Sequence, residues 1–214
     1  MVAALALERQ TETATKPFCE ILNDLDEGYI FIAGPTCSGK TTLAYSLSNF
    51  FFSRFISVSV IKQDDYFKDL KDIPKSPKGY MTDSIDAFHI EEMVNDIISY
   101  IKNGKAQLPL YDIANNRRLR EKQKILKTQV TIIEGLHTIS LFHELLDGIF
   151  IYLNTSIEVC LSRRISRDKF KFNVPEERII EHFNDCIIPS YYKDILPQRD
   201  MNGVIIYEAS TEEG

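Results

Sequence analysis

No hydrophobic run in the sequence is long enough to span a bilayer. The apolar stretch Met1 to Leu7 is short and lacks the basic residues that open a secretion signal. Cysteine is sparse: Cys19, Cys37, Cys160 and Cys186 stand far apart, without the close pairing of a zinc knuckle or a redox couple. Reduced thiols and a cytoplasmic location are the expectation. Net positive charge is lacking too. With 31 acidic against 25 basic side chains and a formal charge of −6, the chain offers nucleic acid no broad attraction, although a local basic pocket could hold a polyphosphate. Neither nucleic acid nor membrane is an expected partner, and a homo-oligomer is left open. No internal repeat is evident. What is there is 214 residues, 44% of them hydrophobic, which fill one domain and leave little for a second.

One contiguous run carries the most information. Gly34-Pro35-Thr36-Cys37-Ser38-Gly39-Lys40-Thr41-Thr42 follows directly on the apolar stretch Tyr29 to Ala33. After it come Leu43, Leu47, Phe50 and Phe51 at mixed three- and four-residue spacing, the pattern of a helix packed on a sheet. Strand, Gly-rich loop and helix in that order make a phosphate-binding loop. Gly34 and Gly39 let the backbone curl so that successive N–H groups point at one anion, for which the β-phosphate of a nucleotide is the natural occupant. Lys40 sets an ammonium against the β- and γ-phosphates, and the Thr41 hydroxyl is positioned to ligate Mg²⁺. Cys37 is either a small residue that fits the tight loop or, beside Lys40 and a helix N-terminus, a thiol of raised reactivity. A nucleoside triphosphate with Mg²⁺ is the expected ligand.

Strand and helix patterns alternate through the chain. Residues 1–28 read as an extension, polar and poorly ordered from Glu8 to Lys16, with Phe18, Ile21 and Leu22 forming a short helix that packs on a domain of residues 29–214. Beyond the strand at Tyr29, strands are expected over Phe55 to Ile61, Val130 to Ile133, Ile149 to Leu153 and Val204 to Tyr207. Helices are expected over Ile90 to Ile101, Ser156 to Arg167 and Pro175 to Lys193. Lys71 to Tyr80, with Pro74, Pro77 and Gly79, reads as a loop, and Leu108 to Arg118 as an interruption of regular structure. Such spacing implies an α/β fold, a mostly parallel five-stranded sheet with helices on both faces. Ligands of such sheets collect beyond the carboxyl ends of the strands, where Gly34, Asp64 and Glu134 all fall.

Asp64, at the end of the second strand, is the candidate base that deprotonates an acceptor hydroxyl facing the γ-phosphate. Asp65 would point elsewhere if the backbone stays extended; the competing reading makes both solvated turn residues. Glu134 ends an apolar strand on the nucleotide side, where a carboxylate can hold Mg²⁺ through water or orient the acceptor; the alternative is a helix cap. The basic run Arg163, Arg164 and Arg167, with Lys169 and Lys171 beyond it, could clamp a polyphosphate or be a solvated helix face. Arg163 and Arg167 lie one helical turn apart while Arg164 faces away, so all three cannot meet one ligand without a bend or a closing segment.

The chain resembles the uridine kinase family of P-loop kinases. The resemblance rests on Gly34 to Thr42, Gln63-Asp64-Asp65-Tyr66-Phe67, Asp86-Ala87-Phe88, Pro109-Leu110-Tyr111-Asp112, Ile133-Glu134-Gly135 and Arg163 to Asp168, in that order over residues 29–207. It implies a P-loop kinase fold with a small closing lid and transfer of the γ-phosphate of ATP or GTP to a nucleoside 5′-hydroxyl, that of uridine or cytidine, the acceptor being a small-molecule ribonucleoside. Carried onto matching positions, the catalytic residues implied are Asp64 as base, Lys40, Arg164 and Arg167. The substrate-binding residues implied are Asp64, Tyr66, Asp86 on the ribose hydroxyls, Tyr111 at the base, Asn116 and Arg164. Asn116 stands where the family commonly carries a histidine, and Tyr66-Phe67 replaces the usual Phe-Tyr. Lys169-Phe170-Lys171-Phe172 departs from the family's Arg-Gly-Arg run, which leaves room for a different lid or acceptor. Nicotinamide riboside kinases match the Asp-Asp-aromatic-aromatic pattern well but the Pro-x-Tyr-Asp run less well. Pantothenate kinase and phosphoribulokinase belong to the wider relationship. A nucleotide-binding module without turnover is the alternative from another class.

Overall fold

The computed structural model describes residues 16–208; of the tail expected from Glu8 to Lys16, residues 8–15 lie outside them, and Lys16 begins a helix. A five-stranded sheet forms the centre, from β1 (Gly28–Ala33), β2 (Val58–Lys62), β7 (Val130–Glu134), β8 (Ile149–Asn154) and β9 (Ile205–Glu208), in the order β2-β7-β1-β8-β9. Every pairing in it is parallel. Alternation along the strands divides the core. Ile30, Ile32, Val130, Ile132, Ile151 and Leu153 face α2 (Lys40–Ser53), which supplies Leu43, Ala44, Leu47 and Phe51. Phe31, Ala33, Ile133, Phe150 and Tyr152 face the other side, where α3 (Ile90–Asn103) brings Met93, Ile97 and Tyr100 at helical spacing. Helix α3 stops at Gly104, whose φ of 67° is the left-handed cap that glycine adopts without strain.

The order of this sheet creates the site. The chain leaves β1 in one direction to build β2 and β7, then crosses to the other side of β1 for β8 and β9. A crevice therefore opens at the carboxyl end of β1, where the connections diverge.

Several boundaries differ from expectation. The second strand starts at Val58 because the Phe51 carbonyl accepts the N–H groups of both Arg54 and Ile56 at 3.0 Å, closing a turn in which Phe55 takes a φ of 62° and stands 96% exposed. Leu108 to Arg118 is not irregular. It lies in a separate antiparallel ribbon of β5 (Lys105–Asp112) and β6 (Arg117–Leu126), with a bulge between Pro109 and Tyr111. Only Leu108, Pro109 and Ile125 of this ribbon are buried, so the sequence carried almost no apolar alternation to announce it. The expected loop at Lys71 to Tyr80 contains a small hairpin of β3 (Lys75–Ser76) and β4 (Gly79–Tyr80).

The long helix expected after Pro175 breaks into pieces. Beyond α4 (Thr138–Phe142) and α5 (Ile157–Phe172), α6 (Glu176–His182) widens into π turns at Phe183–Ile187 and Tyr191–Ile195 before tightening over Leu196–Asp200. Pro189 and Pro197 have no N–H to continue an α ladder, which accounts for the widening around them. In α1 (Lys16–Asp24) Leu22 is buried while Ile21 is exposed, so of these two Leu22 is the one that packs on the domain.

Candidate functional site

The loop from Gly34 to Thr42 is shaped by close approaches. A side chain at Gly34, with φ of 150°, would come within 2.6 Å of the Leu153 carbonyl oxygen, and Gly39 opens α2 at φ of 106°. Cys37 takes a φ of 56° and is half-buried, with the Thr36 hydroxyl 4.0 Å from its sulfur. Two partners from the β8–α5 region brace the loop from behind: the Thr155 hydroxyl and the Arg163 guanidinium both donate to the Ser38 carbonyl, at 3.1 and 3.0 Å. Lys40 Nζ bends back onto the Pro35 carbonyl at 2.7 Å, an ammonium folded over its own loop.

Beside it, the Thr41 hydroxyl donates to Glu134 Oε1 at 2.8 Å, which joins the first turn of α2 to the end of β7. Burial pushes the Glu134 carboxyl up to about 6, with the nearby Asp64 charge acting in the same direction and Lys40 and the Thr41 hydrogen bond opposing. Asp64 is open to the water of the cleft yet ringed by protein. That enclosure, more than the neighbouring Asp83 and Asp65, holds its carboxyl above the ordinary range, against the pull of Lys40 and Arg167. Gln63 to Tyr66 forms a 3₁₀ turn and is not extended, so Asp65 diverges for a different reason than alternation: its Oδ1 accepts the Tyr111 N–H at 3.3 Å.

The cleft holds about 970 Å³, within the range of small-molecule sites. Of the expected residues, it brings together the loop from Thr36 to Thr42, Asp64, Tyr111, Asn116, Glu134, Arg164 and Arg167. Gly34 and Pro35 form the approach to that loop, at the end of β1. Tyr66 and Asp86 are not among the lining residues. Tyr66 is fully buried in the core with its hydroxyl on Asp96 Oδ2 at 3.2 Å, and the 3₁₀ turn presents Phe67 to the cleft instead. Asp86 is exposed on a separate shallow groove, its backbone N–H capped by Ser84 and its carbonyl bonded to Lys68.

The carboxylate of that segment which does enter the cleft is Asp83. It is 4% exposed, and its Oδ2 has no hydrogen-bond partner among the described residues. The sequence hint was its position at the end of a Pro- and Gly-rich loop, but nothing local distinguished it from Asp86. Tyr111 and Phe67 form an aromatic wall, ring centroids 5.5 Å apart, and the Tyr111 hydroxyl donates to the Lys68 carbonyl at 3.3 Å. Asn116 sits at the ribbon tip with φ of 48°.

All three arginines of α5 reach the cleft, contrary to the expectation that Arg164 faces away. Long side chains at the helix's cleft-facing end converge. Arg164 lies 3.4 Å from Asp168 and 3.9 Å from Asp83, and Arg167 donates to Asp168 at 2.7 Å. Lys171, Phe172 and Val174 extend the lining where α5 stops at Asn173, φ 53°. Among the described residues no cluster of three or more His, Cys, Asp or Glu is gathered to hold a metal alone. The Thr41–Glu134 pair is the hard-oxygen arrangement that suits Mg²⁺ held mainly by phosphate and water.

A phosphate-binding loop at the switch point of a parallel five-stranded sheet, facing carboxylates across one cleft, defines a P-loop kinase of small molecules. The comparisons agree: residues 29–213 match the Phosphoribulokinase / Uridine kinase family, and the chain belongs to it. A uridine kinase of Clostridium botulinum is 31% identical over 84% of this chain and 87% of its own length, and one of Borrelia hermsii is 32% identical over 84% and 85%. Among solved structures, a protein of Bacillus stearothermophilus described as a possible uridine kinase superposes with a TM-score of 0.66 at 18% identity, covering 94% of this chain and 99% of that one. D-glycerate 3-kinase of Cryptococcus neoformans gives 0.58 at 16% identity, covering 96% and 90%. The protein is thus a phosphotransferase, a nucleoside or small-metabolite kinase. No helix among the described residues is long and apolar enough to cross a membrane.

Proposed function

We propose that the protein transfers the γ-phosphate of ATP to the 5′-hydroxyl of a ribonucleoside, with uridine and cytidine the first candidates, and that residues 29–214 act as one catalytic domain. The observation that carries this reading is the division of a single cleft. Its lining includes Lys40, Thr41 and Glu134, which we take as the nucleotide end, and Asp83, Phe67, Tyr111 and Asn116, which we take as the acceptor end, with Asp64 in the same lining. The uridine kinases at 31–32% identity support the choice of acceptor.

In this reading Lys40 exchanges its Pro35 carbonyl for the β- and γ-phosphates. Thr41 and Glu134 would hold Mg²⁺, which when bound would neutralise phosphate charge. Asp64 orients the acceptor hydroxyl and accepts its proton as the hydroxyl oxygen bonds to the γ-phosphorus and the bond to the β–γ bridging oxygen breaks, releasing ADP. Arg164 and Arg167, in the middle of α5, act as the closing segment and stabilise the charge on the transferred group. Asp83 takes over the ribose hydroxyls from Asp86, since a buried carboxylate with an unpaired oxygen can accept from a 2′,3′-diol. The tilted pair Phe67 and Tyr111 offers an aromatic face for the base.

The deciding experiment is a phosphate-transfer panel of uridine, cytidine, nicotinamide riboside, adenosine, pantothenate and ribulose 5-phosphate with ATP·Mg²⁺. Transfer to uridine or cytidine is the expected result. Exclusive use of pantothenate or ribulose 5-phosphate would move the protein to another branch, and tight ATP binding with no transfer to any of them would make it a non-catalytic nucleotide-binding module.

A further inference from the structure

We propose that His137 is a positioning residue that fixes Asp83 at the acceptor end of the cleft relative to Asp64, a role that rests on the kinase reading above. His137 follows the end of β7 and is fully buried. Its Nε2 lies 3.0 Å from the Asp83 carbonyl oxygen. A carbonyl can only accept, so the proton sits on Nε2, and Nδ1 keeps a lone pair that finds no partner among the described residues. Burial pushes the imidazole down to about 4, which keeps it neutral and in that tautomer near neutral pH.

The same residue grips the segment of the candidate base. The His137 backbone N–H donates to Gln63 Oε1 at 2.9 Å, and Gln63, fully buried, directly precedes Asp64. The fit between the two strand ends is close: a side chain at Gly135 would overlap Gln63, so only glycine admits that contact. The imidazole edge also meets Phe88, centroids 5.8 Å apart at 71°, and the Phe88 ring lies tilted against Phe67 of the aromatic wall, centroids 4.2 Å apart. One residue outside the cleft lining therefore touches the backbone of Asp83, the neighbour of Asp64 and the support of Phe67.

Asp83 has little else to hold it. Its Oδ1 receives the Thr82 hydroxyl at 3.2 Å, and Arg164 stands off at 3.9 Å. Without the His137 bond, the 81–84 turn would keep its Arg164 pair but lose the tie to the nucleotide-side strands.

The test compares His137→Gln, whose side-chain nitrogen reaches about as far as imidazole Nε2, with His137→Asn, which is too short. The Asn variant is expected to raise the acceptor KM at least about tenfold with the ATP KM unchanged within about twofold, and the Gln variant to restore it. An unchanged acceptor KM in His137→Asn, equal losses in both variants, or a parallel loss of ATP affinity would overturn the proposal. If the wild-type protein phosphorylates no acceptor in the panel, the kinase reading fails by itself. Amide hydrogen exchange then decides the positioning role: residues 81–88 should exchange faster in the Asn variant and as wild type in the Gln variant. Identical exchange in all three proteins would overturn it.

Discussion

The two ends of the cleft are built in opposite ways. The nucleotide end is one contiguous loop between a fully paired central strand and the helix it starts, braced from behind by Thr155 and Arg163. The acceptor end is assembled from a 3₁₀ turn at Gln63–Tyr66, the turn at Asp83, the tip of the β5–β6 ribbon and the far end of α5. Local sequence determines the first. The second depends on contacts between segments tens of residues apart, and there one residue's neighbour can point the opposite way, as Tyr66 and Phe67 do.

If that division is real, substitutions at the two ends should fail differently. The largest effect is expected for Lys40→Ala, with a loss of at least about 10³-fold in kcat/KM, since the variant removes the ammonium assigned to the phosphates. Near-normal turnover would dissolve the distinction. Asp64→Asn should follow, lowering kcat by about 10²-fold or more while ATP binding, measured separately by titration, stays as in the wild type. A small change there would hand the base role to Asp65 or Glu134.

At the acceptor end, Asp83→Ala should raise the KM of a riboside by about tenfold and erase its advantage over the deoxyriboside, while Asp86→Ala changes either by less than about twofold. Equal behaviour of the two variants in steady-state assays would return the ribose contact to the sequence-based choice.

The smallest effect is on stability. Glu134 is ionised above pH 6 in the folded protein but already above its ordinary 4.5 in the unfolded chain, so the buried charge destabilises the fold at pH 8. The penalty fades as pH falls from 6 toward 4.5, where both states take up the proton. Glu134→Gln should therefore stabilise the nucleotide-free protein by about 1 to 2 kcal/mol at pH 8 and by nothing below pH 4.5, in denaturant melts, even as activity is lost. An equal gain at both pH values would point to packing and not to charge.

What could be read from sequence follows the same line. Strand β1, its loop and α2 were legible because an uninterrupted apolar run, a glycine pair and helical spacing lie end to end. Glu134 was legible as the last residue of an apolar strand, and the structure joins it to Thr41 at 2.8 Å. The ribbon was not, because β6 carries Arg117, Arg118, Arg120, Lys122 and Lys124, and charge on both faces hides a period of two. That Asp83 and not Asp86 lines the cleft was not legible, since the contacts that distinguish them are a histidine 54 residues away on the Asp83 carbonyl and a serine cap on the Asp86 N–H. Helical spacing turned Arg164 away from Arg163 and Arg167, although the family resemblance placed it in the site, because spacing alone ignores how far a guanidinium reaches.

The β5–β6 ribbon belongs to no strand of the central sheet; Leu108 and Ile125 anchor its base in the core, while its outer half is tied to the loop after β2 and to α3 by Asp65 on the Tyr111 N–H, Asp69 on the Arg118 N–H, the Tyr111 hydroxyl on the Lys68 carbonyl and the Arg118 fork on Glu92. A wall with its tip held outside the sheet is a replaceable part. Its tip residues can be exchanged, lengthened or re-angled without disturbing a hydrogen bond of the central sheet, so natural selection can alter what the enzyme phosphorylates while the phosphate donor's machinery stays as it is.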